Sequence, residues 1–272
     1  KALDLGALDF VVKPVRYASE RIIEIQNELQ EKVRAIAGKD LGPYLSRLKT
    51  KRTPPKAPPP RTQRPPEGRK GGGLLVVGAS TGGPSSVQKV LSELPSDYPL
   101  PVVVVQHMPP VFTRQFAMRL DRNAALEARE AADGDPLEPG RVLVAPGGHH
   151  LVFDGKGPVV ARVKERSEGD RFVPSLDITL SSAAEIFGPR TIGVVLTGMG
   201  NDGAKGLLKV KEAGGRTVAE SEESAVVFGM PRAAVQSGAA QVVEHLDRIS
   251  GRIRELTRDL TGLKNDRSDD TN

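Results

Sequence analysis

The chain contains no cysteine and no tryptophan, and aromatic residues make up only 4% of its 272 residues. Without cysteine, the protein has no disulfide, no cysteine-ligated zinc and no thiol nucleophile. The scarcity of aromatic side chains argues against a surface that binds single-stranded nucleic acid by base stacking. The sequence also lacks an apolar run long enough to span a bilayer, so we expect no membrane insertion.

The start of the chain shows neither a methionine nor a charged segment followed by an apolar one. We therefore expect an internal fragment of a cytoplasmic protein. Hydrophobic residues account for 38% of the chain, which is enough for a packed core. Because domains usually contain roughly 100–200 residues, the length predicts one large domain with a smaller piece.

The net charge of +5 comes from one part of the chain. Residues 1–72 hold 16 Lys and Arg against 8 Asp and Glu, whereas residues 73–272 hold 23 against 26. Within Arg47–Lys70 there are 9 basic residues, 1 acidic residue and 7 prolines. This composition cannot form a core and predicts an extended linker, although basic arms also bind nucleic-acid phosphates. We favour the solvated tether and do not expect nucleic acid as a partner.

The N-terminal part is predicted to be the end of another domain. Residues 1–16 contain a short apolar run, Phe10–Val12, and residues 17–37 have helical spacing that ends at Gly38. The predicted organisation is a remnant of a preceding domain with its last helix (1–37), a Pro/Arg/Lys-rich linker (38–72), a main domain (73–262) and a disordered tail (263–272).

From residue 73 onwards, valine-rich runs alternate with helical stretches. This pattern is typical of parallel strands covered on both faces. The sequence therefore predicts an α/β fold, a doubly wound and mostly parallel sheet with helices on both faces and a β-hairpin insertion. We place the insertion at Val159–Val163 with the region around Phe172. The predicted strands are Leu74–Val77, Val102–Val105, Val142–Ala145, Ile192–Leu196 and Gln241–Val243, and the predicted helices include Ser85–Leu94 and Ala204–Ala213.

Residues with catalytic chemistry follow three of these strands. Ser80 follows the first strand, His107 the second, and Asp202 lies in the loop after the fourth. Ligands bind at the carboxyl ends of parallel strands, so we expect the three side chains to converge. A hydroxyl, an imidazole that takes its proton and a carboxylate that holds the imidazole make an activated nucleophile.

The loop around Ser80 supports this prediction. Gly78 to Gly82 has the G-x-S-x-G form of a nucleophile elbow, and a helix that begins near Pro84 directs its amides towards an oxyanion. The loop alone also fits an anion-binding glycine loop or a plain tight turn, although it lacks the dinucleotide and P-loop patterns. The order Ser, His, Asp differs from that of the α/β-hydrolases.

Other polar residues are weaker candidates. His149 and His150 follow the third predicted strand, where they are candidates for the pocket lining, and His245 is expected to be structural or exposed. Asp177 is expected to cap the helix that runs through Phe187 or to lie near the cleft. The few histidines do not suggest a metal centre, so we expect no metal and no cofactor.

At these residues the chain resembles the CheB family, the protein-glutamate methylesterases of bacterial chemotaxis. The resemblance implies that Ser80, His107 and Asp202 are the catalytic residues. Thr81 and Met199 match residues that the family keeps beside the nucleophile, and with Gly82 they are the candidates for substrate or oxyanion contact. The matching motifs are VGASTGGP (77–84), VVVQHMP (103–109), VAPGGHH (144–150), PSLDITLSSAA (174–184), VLTGMGNDGA (195–204) and VVFGMPRAA (226–234).

Residues 1–16 resemble the end of a response-regulator receiver domain. The G-A-x-D-F-x-x-K-P pattern appears as Gly6–Pro14, and Lys13 matches the receiver lysine that contacts the phosphoryl group. The phosphoacceptor Asp of such a domain is not in this chain. The resemblance therefore implies phosphorylation control for the parent protein only.

The family resemblance implies hydrolysis of glutamyl methyl esters on methyl-accepting chemotaxis receptors, with release of methanol, and deamidation of receptor glutamines. It also implies a chemotaxis histidine kinase as partner, through the receiver domain of the parent protein. Two alternatives come from other classes. A phosphate- or nucleotide-binding regulatory module predicts no loss of function from His107→Ala, and a nucleic-acid binder predicts salt-dependent DNA binding through Arg47–Lys70.

Overall fold

The computed structural model describes residues 72–155 and 157–262, with residues 7, 9–11, 26, 29, 30, 32–34, 36, 37 and 42. The predicted tail, Lys13 and all of the predicted linker except residues 42 and 72 lie outside the described residues. Within the described ranges, no helix has both the length and the apolar character needed to cross a membrane.

The main part of the chain alternates strands with helices. The strands are β1 (Leu74–Ala79), β2 (Val102–Gln106), β3 (Glu127–Glu130), β4 (Arg141–Val144), β5 (His149–Asp154), β6 (Val160–Glu165), β7 (Thr191–Val195), β8 (Arg216–Glu220) and β9 (Val242–Glu244). The helices are α1 (Gly83–Ser92), α2 (Pro110–Asn123), α3 (Leu176–Phe187), α4 (Ala204–Glu212), α5 (Met230–Gln236) and α6 (Leu246–Thr261).

In the described part of the chain, seven strands form one sheet in the order β3-β4-β2-β1-β7-β8-β9, and all neighbouring pairs are parallel. The chain moves outward from β1 to one edge through β2 and later to the other edge through β7. In such doubly wound sheets, the crevice where the chain changes direction is the usual ligand site. Here that crevice lies at the carboxyl ends of β1, β2 and β7.

Helices cover both faces of the sheet. One face packs under α1, α2 and α6, and the other packs under α3, α4, α5 and the antiparallel hairpin of β5 and β6. Every residue of β1 and β2 is buried, because both of their faces lie under helices. The two hydrophobic layers make the central strands a rigid base for the loops that follow them.

The structure reproduces the five predicted strands as β1, β2, β4, β7 and β9. In the seven-stranded sheet, β3 and β8 were not predicted, because charged residues begin and end both of them. In the hairpin, β5 was not predicted. The prediction of the insertion was half wrong. Val159–Val163 overlaps β6, but its partner is β5, whereas Phe172 lies in the loop that follows the hairpin.

Candidate active site

Ser80, His107 and Asp202 lie in the three loops that leave β1, β2 and β7. Backbone hydrogen bonds tie the first residues of these loops together. The Ser80 amide donates to the Thr197 carbonyl over 3.0 Å, and the His107 amide donates to the Ala79 carbonyl over 3.1 Å. The structure thus brings the three predicted residues together at the carboxyl ends of the central strands.

His107 and Asp202 form a direct pair, with 2.7 Å between His107 Nε2 and Asp202 Oδ2. Asp202 is only 2% exposed. Burial by itself disfavours its ionised form, but the hydrogen bond and positive charge of His107 and the amides of Asp177 and Leu176 outweigh burial. They hold the pKa of Asp202 below its ordinary value, so the carboxylate is ionised at neutral pH.

This pairing decides which nitrogen of His107 is free to accept a proton. An ionised carboxylate only accepts hydrogen bonds, so the neutral ring carries its proton on Nε2 and leaves Nδ1 as the acceptor. Among the described residues, the Ser80 hydroxyl does not yet donate to His107. Such catalytic hydrogen bonds often close only when substrate binds.

The loop after Ser80 turns through Gly82, whose φ of 79° lies in the left-handed region that favours glycine. A Cβ at Gly82 would also lie 2.7 Å from Val226 Cβ. The Ser80 and Gly83 amides already donate to carbonyls. In the described part of the chain, the amides of Thr81, Gly82 and Met199 have no carbonyl partner, which leaves them available to an oxyanion.

A buried carboxylate supports this loop from behind. Glu220 is fully buried, and its side chain accepts hydrogen bonds from the Thr197 amide (2.8 Å) and the Ser224 hydroxyl (2.9 Å). The Thr197 hydroxyl in turn donates to the Thr81 carbonyl over 2.9 Å and accepts from the Val227 amide. The backbone beside Ser80 is therefore held by a polar network with little access to water.

The ring of His107 stacks on Phe172, with 4.8 Å between ring centroids and 10° between ring planes. Phe172 belongs to the loop between β6 and α3, which a second histidine holds in place. His150 is 1% exposed, and its Nε2 lies 2.9 Å from Asp170 Oδ2. His150 therefore lies behind the site rather than on its surface.

Residues of the N-terminal segment contact the nucleophile loop. The Thr81 hydroxyl donates to Asp9 Oδ2 over 2.6 Å, and Lys32 pairs with Asp9 Oδ1 at 3.2 Å. Phe10 packs on Phe112 of α2 with 4.5 Å between ring centroids. These contacts lie next to Ser80, so the segment covers part of the predicted site.

In the described part of the chain, the remaining candidate residues form no hydrogen bond or ion pair with Ser80 or His107. His149 is half-exposed and pairs with Glu165. His245 precedes α6 as its N-cap, where its ring accepts from the Asp247 amide. Asp177 lies in the first turn of α3, but it is Ser175 that caps this helix. The position of Lys13 lies outside the described residues.

Sequence reasoning missed two residues that contact the predicted triad. Ser175 directly precedes the helix through Phe187, which is the usual place of a capping serine, so this signal was present. Phe172 follows a run of charged residues, and nothing in the sequence indicates that its ring reaches His107. Its role depends on a contact across the fold.

Comparison with known proteins agrees with the geometry. The family model described as CheB methylesterase matches residues 75–253. A Geobacter sulfurreducens protein named protein-glutamate methylesterase/protein-glutamine glutaminase 3 is 48% identical over 268 residues, covering 93% of this chain and 72% of that protein. A Thermotoga maritima protein named protein-glutamate methylesterase/protein-glutamine glutaminase is 40% identical over 94% of this chain and 72% of its own length.

A solved structure confirms the predicted fold class. The crystal structure of the Thermotoga maritima CheB methylesterase catalytic domain matches with a TM-score of 0.66 and 45% sequence identity. The match covers 68% of this chain and 98% of that domain.

Proposed function

The chain belongs to the CheB methylesterase family, and from this premise we propose that it hydrolyses glutamyl methyl esters on chemotaxis receptors. The products are methanol and a receptor glutamate. The same site deamidates receptor glutamines, in line with the double name that its relatives carry. The reaction needs no cofactor in this account, because the serine and histidine chemistry is complete by itself.

The observation that carries the proposal is the buried His107–Asp202 pair at the strand ends that flank Ser80. A phosphate-binding loop has no use for such a pair, whereas acyl transfer requires a base of this kind. This separates the esterase from the nucleotide-binding alternative.

In the first half of the reaction, Ser80 Oγ attacks the side-chain carbonyl carbon while His107 Nδ1 takes the hydroxyl proton. The oxyanion is stabilised by the unpaired amides of the loops, from Thr81, Gly82 and Met199. His107 then returns the proton to the leaving methoxide. Methanol departs, and the glutamyl group remains as an ester on Ser80.

In the second half, water attacks this ester, and His107 takes a proton from the water and gives it to Ser80 Oγ. The receptor glutamate leaves as the product. With glutamine, the leaving group is ammonia in place of methanol, and the other steps are the same. Asp202 stays ionised throughout and stabilises the charged imidazole.

We further propose that the parent protein receives phosphoryl groups from a chemotaxis histidine kinase through its receiver domain, in the cytoplasm. The support is the resemblance of residues 1–16 to the end of a receiver. We accordingly propose four parts: a receiver remnant (1–37), a linker (38–72), a catalytic domain (73–262) and a tail (263–272). Lys13 is the proposed phosphate-contacting lysine of the receiver remnant.

The first prediction concerns the triad. Ser80→Ala, His107→Ala and Asp202→Asn should each lower kcat for methanol release from methylated receptor by about 10³-fold or more, because the three groups act as one unit. The assay counts volatile methanol from receptors that carry radiolabelled methyl esters.

Two matched variants serve as controls for this experiment. Ser92→Ala removes an exposed hydroxyl that donates to the Lys89 carbonyl within α1, and His149→Ala removes a histidine of the hairpin. Both should retain the activity of the unmodified chain. The proposal would be contradicted if the folded chain released no methanol or if His107→Ala were fully active. Nucleotide binding would then be the hypothesis to test.

A further inference from the structure

The Asp202 carboxylate is surrounded by four hydrogen-bond donors, two on each oxygen. Oδ2 accepts from His107 Nε2 (2.7 Å) and the Leu176 amide (2.6 Å). Oδ1 accepts from the Ser175 hydroxyl (2.9 Å) and the Asp177 amide (3.0 Å). Three of the four donors belong to the N-terminal turn of α3. A carboxylate has about four acceptor positions, so this turn leaves Asp202 a single orientation.

We propose that Ser175 is a positioning residue of the proposed esterase reaction, which orients Asp202 and through it the imidazole of His107. Its hydroxyl is the one side-chain donor that α3 offers to the carboxylate. The same oxygen accepts from the Ile178 amide (3.4 Å) as the N-cap of the helix. Ser175 thus connects the positive end of the helix dipole to the triad carboxylate. This inference rests on the proposed function.

The backbone of Ser175 is itself fixed from behind. Its amide donates to His150 Nδ1 over 3.2 Å, and His150 Nε2 lies 2.9 Å from Asp170 Oδ2. Because Nδ1 accepts, Nε2 carries the proton and donates to Asp170. This chain of bonds gives the buried His150 a role that does not involve substrate.

Packing holds the same turn against the nucleophile strand. The side chain of Leu176 lies over Gly78, where an added Cβ would come within 1.9 Å of Leu176 Cδ2. The first glycine of the G-x-S-x-G pattern is therefore required by this close approach. Ser175 and Ser80 are thereby set relative to each other through Leu176.

The two loops also hold each other through reciprocal caps. Asp202 precedes α4 and accepts amides of α3, while Asp177 of α3 accepts the amides of Gly203 (2.9 Å) and Gly206 (2.7 Å) at the start of α4. The groups that titrate next to Asp202 are His107 and Asp177, with His150 one residue further away behind Ser175. A displaced Asp202 would break contacts in both helices.

The test compares Ser175→Ala with Ser175→Thr and with Ser181→Ala in the full chain. Ser181 is on the same helix, but its hydroxyl donates to the Asp177 carbonyl, away from the triad. We expect Ser175→Ala to lower kcat for methanol release about tenfold with KM changed less than twofold, since the charged hydrogen bond to the triad carboxylate is lost. The N-cap bond to the Ile178 amide is lost as well, and this affects the stability of the helix. Ser175→Thr should retain most of the activity, and Ser181→Ala should match the unmodified chain.

A pH profile separates positioning from a merely structural role. Without the Ser175 hydroxyl, the charge of Asp202 is less neutralised by donors, so the carboxylate stabilises the protonated imidazole of His107 more strongly. The acid limb of kcat/KM, which reports protonation of the imidazole–carboxylate pair, should therefore move to higher pH in Ser175→Ala and stay in place in Ser181→Ala. If Ser175→Ala does not fold, Ser175→Cys replaces it, because a thiol of similar size donates only weakly.

A second readout does not depend on catalysis. In the proton NMR spectrum, the Nε2–H of His107 is identified by its loss in His107→Ala, and it should exchange faster with water in Ser175→Ala. An unchanged resonance together with unchanged kcat would overturn the positioning role while the esterase stands. If the unmodified chain releases no methanol, the proposed function fails, and the resonance alone still supports or overturns the inference.

Discussion

At the scale of single residues, the base of the proposed reaction is held on three sides. Asp202 bonds one edge of the His107 ring, Phe172 stacks on its face, and the main chain is fixed by the Ala79 carbonyl. Together these contacts restrict the orientation of the imidazole ring. Orientation of a catalytic group lowers the barrier because its entropy is lost before the reaction begins.

The ring of Phe172 provides a residue-scale prediction. Phe172→Leu keeps an apolar side chain but removes the stack, which is worth about 0.5–1.5 kcal/mol. We expect kcat for methanol release to fall about two- to tenfold with little change in KM. Phe153→Leu, in a buried aromatic pair between the hairpin and Phe187 of α3, is the control. If the two variants lose activity equally, the loss comes from reduced stability of the fold, and the stack on Phe172 does not orient the His107 ring.

The sequence allowed prediction of Ser80, His107 and Asp202 because each follows a strand, and strand ends of a parallel sheet meet. Ser175 and Phe172 could not be assigned to the site in this way. Their loop comes after a hairpin that lies outside the main sheet, and its path depends on contacts of His150 with Asp170 and Ser175. The periodicity of apolar residues in the sequence does not indicate such contacts.

At the scale of elements, α3 and α4 exchange carboxylates at their N-termini. Burial raises the pKa of Asp177 above its ordinary value, with the charge of Asp202 adding to it, although the amides of Gly206 and Gly203 oppose the rise. The ionised form of Asp177 therefore reduces stability at neutral pH. That cost disappears as the pH falls below the ordinary aspartate range, where folded and unfolded chains are both protonated.

This linkage predicts the effect of Asp177→Asn. Asparagine keeps an acceptor oxygen for Gly203 and Gly206 but carries no charge, so the variant should unfold at a higher temperature than the unmodified chain at pH 7. The difference should vanish near pH 3. Asp177→Ala removes the acceptor and should be destabilised by about 1 kcal/mol. Thermal unfolding followed by circular dichroism checks both, and a lower midpoint for Asp177→Asn at pH 7 would contradict the linkage.

The pKa of Asp202 is shifted in the opposite direction, and its effect on stability is therefore also opposite. Its pKa is lowered in the folded chain, so its contribution to stability is present above the ordinary aspartate range and is lost as the pH falls through the folded value. The two carboxylates thus respond to acid in opposite directions, although they lie in one cluster. Apolar runs allowed prediction of five strands, but the strand order and this exchange of caps depend on packing, including that of α3 on α4.

At the scale of the whole molecule, the N-terminal segment and the main α/β part of the chain share a surface beside Ser80. Asp9 accepts from Thr81, and Phe10 packs on α2. Ile36 and Met199 both pack on the buried pair Val226 and Val227. Thr81 and Met199 are two of the proposed oxyanion or substrate contacts. The sequence predicts that residues 1–16 end a separate unit, but it held no signal for where the segment lies, because the contacts join residues about 70 positions or more apart.

Release of this contact should raise activity. Asp9→Ala removes the partner of the Thr81 hydroxyl, so we expect kcat/KM for methanol release to increase several-fold, with the gain mainly in KM. Gln30→Ala, at an exposed position of the same segment, is the control. An activity equal to or below that of the unmodified chain would mean that the contact supports the loop rather than covering the site.

The most direct measurement of the central claim is covalent capture of the nucleophile. A fluorophosphonate that reacts with activated serines should label the chain once, on the peptide that contains Ser80, and methanol release should fall in proportion to labelling. Methylated receptor present beforehand should slow the reaction, and Asp202→Asn should label poorly. Labelling at another serine, or full labelling of Ser80 with methanol release intact, would contradict the assignment of Ser80 as the nucleophile of this esterase.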